Sequence, residues 1–351
     1  MNILFVMEPR GNAGCTHALA NYMRVGDAMG HRMALFGDPQ PDMPGVRLSK
    51  DPRNFGRIVY VFESKLYRTN RLQEVTLLSA VPREHRYILD ADAKYGPMKV
   101  VQDYDRNYRN EAERLEWINY FDSLSDRILQ STMVPVDDPR VTRLAFFGFD
   151  PAHVVRPCQA PAKDYDILYV GHNWWRWKEV EQDLLPAFGR IRDQVGKIGF
   201  VGLLRDGVPH WAEEMGRGLA LLVDTDELNP LRIQIEPPVP YTQVIEKMSS
   251  AKINIFAPRP YLRHVKYLTQ RYFEEFCADT IPLLMLDPDF AEEVYGPAGR
   301  ELTLTGRVAE RILDALQRPK YYQELVEDVR SHLMTEHTYD RRVQELVTAL
   351  S

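Results

Sequence analysis

Short apolar runs recur along the chain, each bounded by polar residues or glycine, and their length suits buried strands. Asn2–Met7 (NILFVM), Arg32–Phe36 (RMALF), Ile58–Phe62 (IVYVF) and Tyr87–Leu89 (YIL) are of this kind, and Ile128–Ser131 and Leu144–Phe147 extend the series. Between the first two lies Thr16–Met29, apolar at helical spacing, with Gly30 just past its end. A glycine there can take the left-handed conformation that closes a helix. Ser64–Val81 reads as helical in the same way. A strand, a glycine-bearing loop, a helix and a second strand open a doubly wound α/β sheet.

The alternation then starts afresh. Pro151–Lys163 is proline-rich and aperiodic, which predicts a linker. Beyond it come strand Asp166–Val170, loop Gly171–Lys178, helix Glu179–Arg192 and strand Ile198–Val201. Arg232–Ile235, helix Tyr241–Ser250 and strand Lys252–Phe256 follow, and Val308–Leu350 is helical with charged faces. The pattern predicts an α/β chain of two Rossmann-like domains, over residues 1–152 and 164–335. Residues 336–351 are expected to form a last helix that packs back toward the first domain.

The densest stretch is Lys266–Leu286. Thr269 is a natural N-cap, Tyr272, Phe273, Phe276 and Cys277 form an apolar stripe, and Ile281–Leu286 reads as a buried strand. Arg271 and Glu274, three apart, share a face at the helix start. A cation there suits a phosphate, and a carboxylate one turn deeper suits ribose hydroxyls. An exposed ion pair would have the same spacing. Gly171 with Arg176 and Lys178 makes a second diphosphate clamp at a helix start, and Trp174, Trp175 and Trp177 beside it suit either stacking on a ligand or packing.

Two loops of the first half also carry chemistry. Gly11, Asn12 and Gly14 do not make a dinucleotide fingerprint; they either let the chain pass close to an acceptor or phosphate, or form a tight turn. Asp90 and Asp92 follow a predicted strand, where such sheets place their ligands. They are open to three readings: metal ligands, a general base, or a turn.

Composition narrows the classes. The chain has 351 residues, enough for two domains, 44% of them apolar, and no run reaches the length of a membrane span. Three separated cysteines give neither a disulfide framework nor a zinc site, so no metal is expected and the compartment is read as the cytoplasm. A net charge of −6 argues mildly against nucleic acid as the main partner.

The motif T-x-R-x-F-E followed by a turn and an apolar strand, at Thr269–Leu284, and H-T-Y-x-x-R at His337–Arg342, resemble the carboxy-terminal half of the CgeB-like, glycosyl transferase family 1 group. The resemblance implies a GT-B fold, two Rossmann-like domains facing across a cleft, and a nucleotide-sugar-dependent glycosyltransferase. It also implies that the second domain holds the donor, a UDP-sugar first among the choices, on Gly171, Arg176, Lys178, Thr269, Arg271 and Glu274, with no other cofactor. The phage DNA β-glucosyltransferases are similar in two places: the T-x-R-x-x-E spacing, and a catalytic aspartate that ends a strand before an apolar and a basic residue, as Asp92-Ala93-Lys94 does. That likeness implies Asp92, or Asp90, as the base. Many retaining GT-B enzymes carry a glutamate eight positions before the ribose-binding one; here that position is Lys266, which favours inversion.

The acceptor is expected to be a small molecule or glycan. DNA with a hydroxylated base is the alternative, its groove lined by Lys65, Arg68, Arg71, Arg106 and Arg109. A nucleotide-sugar-binding protein that has lost catalysis is the reading from another class.

Overall fold

The computed structural model describes residues 1–7, 14–38, 43–61, 79–90, 95, 111–134, 137–173, 176–202, 223 and 225–351. Among these, two wholly parallel sheets carry the chain. The first has seven strands in the order β3-β2-β1-β4-β5-β6-β7: β1 Asn2–Val6, β2 Arg32–Phe36, β3 Leu48–Ser49, β4 Arg57–Val61, β5 Arg86–Asp90, β6 Ile128–Gln130 and β7 Val141–Arg143. The second has five in the order β10-β9-β8-β11-β12: β8 Tyr165–Val170, β9 Ile198–Val201, β10 Gln234–Glu236, β11 Ala251–Phe256 and β12 Ile281–Leu284. Parallel sheets are covered on both faces, which is why these strands read as continuous apolar runs instead of alternating ones.

The helices that matter to the site are α1 Gly14–Ala28, α2 Glu111–Leu124, α3 Trp177–Glu179, α4 Leu185–Ile191, α5 Val244–Ser249, α6 Pro260–His264, α7 Arg271–Glu274 and α8 Pro288–Tyr295. The tail adds α9 Pro297–Glu301, α10 Val308–Gln317, α11 Pro319–Glu336 and α12 Tyr339–Ala349. Gly30 closes α1 at φ 78°, as its position predicts.

Three local readings need correction. Leu144–Phe147 is not a strand; β7 lies before it, and the segment's backbone is claimed from elsewhere. Tyr22 Oη donates to Phe146 O and Arg342 Nε to Phe147 O, both at 2.9 Å, and just past the segment Phe149 N donates to His337 O at 2.7 Å. The helix expected over Glu179–Arg192 begins earlier and contains a π turn at Val180–Leu184. Pro186, at the start of α4, has no N–H to continue the ladder, which accounts for the widened turn. Thr269 is not the N-cap of α7: that position is Gln270, which is itself helical, while Thr269 O accepts from Tyr272 N at 3.0 Å.

The apolar core runs without a break from one sheet to the other. Tyr22 of α1 stacks on Phe146 with centroids 5.2 Å apart and meets Tyr339 of α12 edge-on at 5.7 Å. The tail is fastened at its far end too, where Arg57 Nε and Tyr87 Oη donate to Leu350 O at 2.8 and 3.0 Å.

Candidate functional site

In the second sheet the chain leaves β8 toward β9 and returns on the other side at β11, so a crevice opens beyond the carboxyl ends of β8 and β11. Gly171 follows β8 and Gly202 follows β9. Gly202 sits at φ 151°, and a Cβ on it would stand 1.9 Å from Gly171 O, so only glycine lets the two loops lie this close. Tyr169 Oη and Arg176 Nη1 both donate to His172 O, at 3.0 and 2.7 Å. Arg176 Nε is buried with no partner among the described residues. Burial pulls the guanidinium's pKa down, and the charges of Arg259 and Arg271 add to that; an anion bound here would relieve all three. Desolvation of its ring, then the charges of Arg176 and Arg271, hold the His172 pKa below its usual value, although the residue keeps an exposed surface.

Helix α7 closes the crevice. Arg271 Nη1 donates to Val170 O at 3.2 Å, placing the guanidinium at the end of β8. Its Nε lies 3.2 Å from Glu274 Oε2 and its Nη1 lies 4.0 Å from Glu275 Oε1. The pair is not the exposed one that the spacing also allowed: Glu274 is 4% exposed and Glu275 1%. Beneath them Asn254, in the middle of β11, donates to Glu275 Oε2.

Glu275 has a pKa raised to about 7 from the usual 4.5, by burial, against the opposing pull of Arg271 and Asn254. Because the folded value lies above the unfolded one, the folded chain binds this proton more tightly. Its contribution to stability is complete below about pH 4.5 and is lost as pH rises through 7. The shift corresponds to on the order of 3 kcal/mol. We expect Glu275→Gln to flatten the fall in melting temperature between pH 5 and pH 8; an unchanged slope in thermal denaturation would show that Glu275 titrates normally.

The first sheet faces this helix through α1. Gly14, its first residue, would place a Cβ 3.4 Å from Gln270 Cβ and 3.7 Å from Tyr241 Oη. His17 stacks on Tyr241 with centroids 4.1 Å apart and planes 14° apart, and Tyr241 Oη donates to Glu274 Oε1. Tyr339 Oη donates to Gln270 Oε1 at 2.7 Å. Sequence reading did not find His17, Tyr241, His172, Asn254 or Glu275. Asn254 did carry a signal, as a lone amide within an apolar strand.

The other expected residues divide. Gly171, Arg176, Arg271 and Glu274 come together at the crevice, with Thr269 two residues before α7. Lys178 is exposed and lines a different cleft. Trp177 is buried and its Nε1 donates to Glu181 Oε1 at 3.2 Å, so this indole packs against its own helix. Asp90 ends β5 fully buried, and its Oδ2 accepts from Tyr95 N at 3.0 Å. Gly11, Asn12, Asp92, Trp174, Trp175, Lys65, Arg68, Arg71, Arg106 and Arg109 lie outside the described residues. Among the described residues no cluster of three or more His, Cys, Asp or Glu is placed to hold a metal, and no helix is long and apolar enough to cross a membrane.

Residues 191–348 match the family model described as glycosyl transferase-like. No curated protein matches the sequence. Among solved structures, the chain is similar over its whole length to the T4 phage β-glucosyltransferase in complex with UDP and Mn²⁺, at 13% identity, full coverage of both chains and a TM-score of 0.58. It is also similar to an α-glucosyltransferase in complex with UDP and a 13-mer DNA containing a HMU base, at 12% identity, 100% and 99% coverage and a TM-score of 0.60. A glycosyltransferase from Rickettsia africae matches at 11% identity, 99% and 97% coverage and a TM-score of 0.58. The fold is that of the GT-B glycosyltransferases.

Proposed function

We propose that this GT-B glycosyltransferase moves a sugar from a UDP-sugar to an acceptor hydroxyl, inverting the anomeric centre and needing no metal. The observation that carries the reading is the pair of cations at the carboxyl end of β8, where Arg176, its Nε buried and unpartnered among the described residues, stands close enough to Arg271 to feel its charge. Donor complexes of the structural neighbours contain UDP, which fits a crevice of this chemistry.

Each residue then has a task. Arg271 and Arg176 meet the charge that builds on the leaving diphosphate, in a buried setting where such charge stabilisation is strong. Glu274 accepts hydrogen bonds from the ribose, whose hydroxyl takes the place of the Tyr241 phenol. Asp92 accepts the proton of the acceptor hydroxyl as its oxygen attacks the anomeric carbon from the side opposite UDP. Asp90, its carboxylate accepting from the Tyr95 amide, fixes the end of β5, two residues before Asp92 in the sequence. Lys266, in the left-handed conformation at φ 51° and paired with Glu293, offers no carboxylate from the loop before α7, which supports inversion.

A small molecule or glycan is the first choice of acceptor. A hydroxylated base in DNA is the second reading, favoured by the α-glucosyltransferase neighbour seen with DNA. Titration of duplex DNA at rising salt separates the two, since base-directed binding through a basic groove weakens steeply with salt.

Calorimetry with UDP in EDTA tests the donor site. UDP is expected to bind without added metal, and Glu274→Ala to weaken it by about 1–3 kcal/mol, the cost of leaving the ribose hydroxyls without their buried partner. Unchanged affinity in the variant would remove Glu274 from the site. Binding that appears only with manganese or magnesium would make the donor site metal-dependent.

A further inference from the structure

Glu275 has no task in the donor reading, yet it stands behind Arg271 as the C-cap of α7, 1% exposed. Its Oε1 lies 4.0 Å from Arg271 Nη1, beyond hydrogen-bond reach. That Nη1 donates to Val170 O instead, and the guanidinium Nε lies 3.2 Å from Glu274. Two buried carboxylates therefore share one guanidinium, and Glu275 has the weaker hold on it. The groups that face Glu275 from the neighbouring elements are Asn254 of β11, Tyr169 of β8 and Tyr295 of α8, an amide and two phenols. An ionised carboxylate in such a place costs the fold more than an apolar side chain would, so its presence points to function.

Asn254 suits both protonation states of this carboxyl. Its Nδ2 donates to Glu275 Oε2, and its Oδ1 is buried with no partner among the described residues. Turned over about its last bond, the amide presents Oδ1 to the same carboxyl and accepts from an O–H there. Burial raises the Glu275 pKa to about 7 against the pull of Arg271 and Asn254, and Glu274 adds to the rise, so both states occur near neutral pH.

We propose that Glu275 is a positioning residue for the donor: ionised, it steadies Arg271 at the end of β8, and it takes up a proton when a diphosphate claims that guanidinium. The inference rests on the UDP-sugar reading above. A diphosphate brings negative charge to Arg271, and the cation then no longer offsets both carboxylates. Glu274 is engaged by the ribose, which leaves Glu275 as the uncompensated one. One proton from solvent neutralises it and returns when UDP leaves; no bond other than O–H forms or breaks. Because the bound form holds this proton more tightly, UDP affinity falls as pH rises above about 7.

The test is calorimetry with UDP on the full chain at pH 6 and pH 8, in two buffers of different ionisation enthalpy. At pH 8 a terminal phosphate, with its pKa of about 6, is already ionised. The parent is expected to take up on the order of one proton per UDP bound there. Glu275→Gln, a neutral isostere, is expected to take up none and to match the parent's affinity at pH 6. At pH 8 it is expected to bind UDP about tenfold more tightly than the parent, only about a tenth of which carries the proton. A carboxylate that merely supports the fold would give the variant an equal or weaker affinity at both pH values. His172→Asn is the control for the nearby imidazole, which also feels Arg271, and is expected to keep the uptake. The parent's own uptake needs no variant, so the test holds even if Glu275→Gln folds poorly. If the parent binds UDP without taking up a proton at pH 8, or if the uptake survives Glu275→Gln or is lost in His172→Asn, this inference falls while the donor reading stands. If the parent binds no UDP, the donor reading fails and takes this inference with it.

Discussion

Asp92→Asn is expected to turn over about 10²–10⁴-fold more slowly than the parent while binding UDP equally well. The amide keeps the size and shape of the carboxylate but cannot take the acceptor's proton. Asp92 follows the end of β5 by two residues in the sequence, in the first half of the chain, whereas UDP is assigned to the second sheet. Loss of turnover without loss of donor affinity is therefore its expected signature. Asp90→Asn is the control: that carboxyl is fully buried and accepts from Tyr95 N, so its replacement is expected to lower the melting temperature more than to remove a base. Turnover is read as UDP release once screening of small molecules, glycans and hydroxylated-base DNA has found an acceptor. A fully active Asp92→Asn, with Asp90→Asn dead, would move the base to Asp90. Full activity in both would place it elsewhere.

The frame of this fold was legible because parallel strands buried on both faces have a plain signature. β1, β2, β4, β8, β9 and β11 all fall within a residue or so of their apolar runs. Leu144–Phe147 has the same composition but forms no strand: past Leu144, whose N donates to Gln130 O, the carbonyls of Phe146 and Phe147 are taken by Tyr22 and Arg342, which lie far away in sequence. Nothing local distinguishes an apolar segment bonded by distant groups from one bonded by a strand.

The site shows the same division. Arg271 and Glu274 were found because spacing on a single turn fixes which side chains meet. Arg176 and Lys178 were grouped as one clamp, yet residues two apart on a helical turn do not face each other, and the structure sends Arg176 inward and Lys178 to the outer cleft. The role of Tyr241 was beyond reach, because it depends on α1 bringing His17 against it. The burial of Glu275 was nearer to hand. An acidic doublet opposite an asparagine in an apolar strand is a legible pattern once the two elements are known to pack.

Arg271→Ala is expected to abolish measurable UDP binding and to destabilise the fold at the same time. The guanidinium lies against two buried carboxylates, 3.2 Å from Glu274 and 4.0 Å from Glu275, and donates to Val170 O at the crevice. Removing one partner of a buried ion pair costs about 3–5 kcal/mol, mostly because the remaining charge is left uncompensated. That loss is expected to be largest at pH 8 and smaller at pH 5–6, where Glu275, with its pKa of about 7, holds a proton and needs no counter-charge. Denaturant titrations at the two pH values measure it. Binding is best compared at the lower pH, where the variant is better folded, so that lost affinity is not mistaken for lost structure. Arg271→Lys separates the roles further: an ammonium restores charge but cannot hold the carboxylates and a diphosphate with one planar fork. We expect it to recover most of the stability and only part of the affinity. Should Arg271→Ala bind UDP as the parent does, the cation at this helix serves the fold alone, and Arg176 would carry the diphosphate.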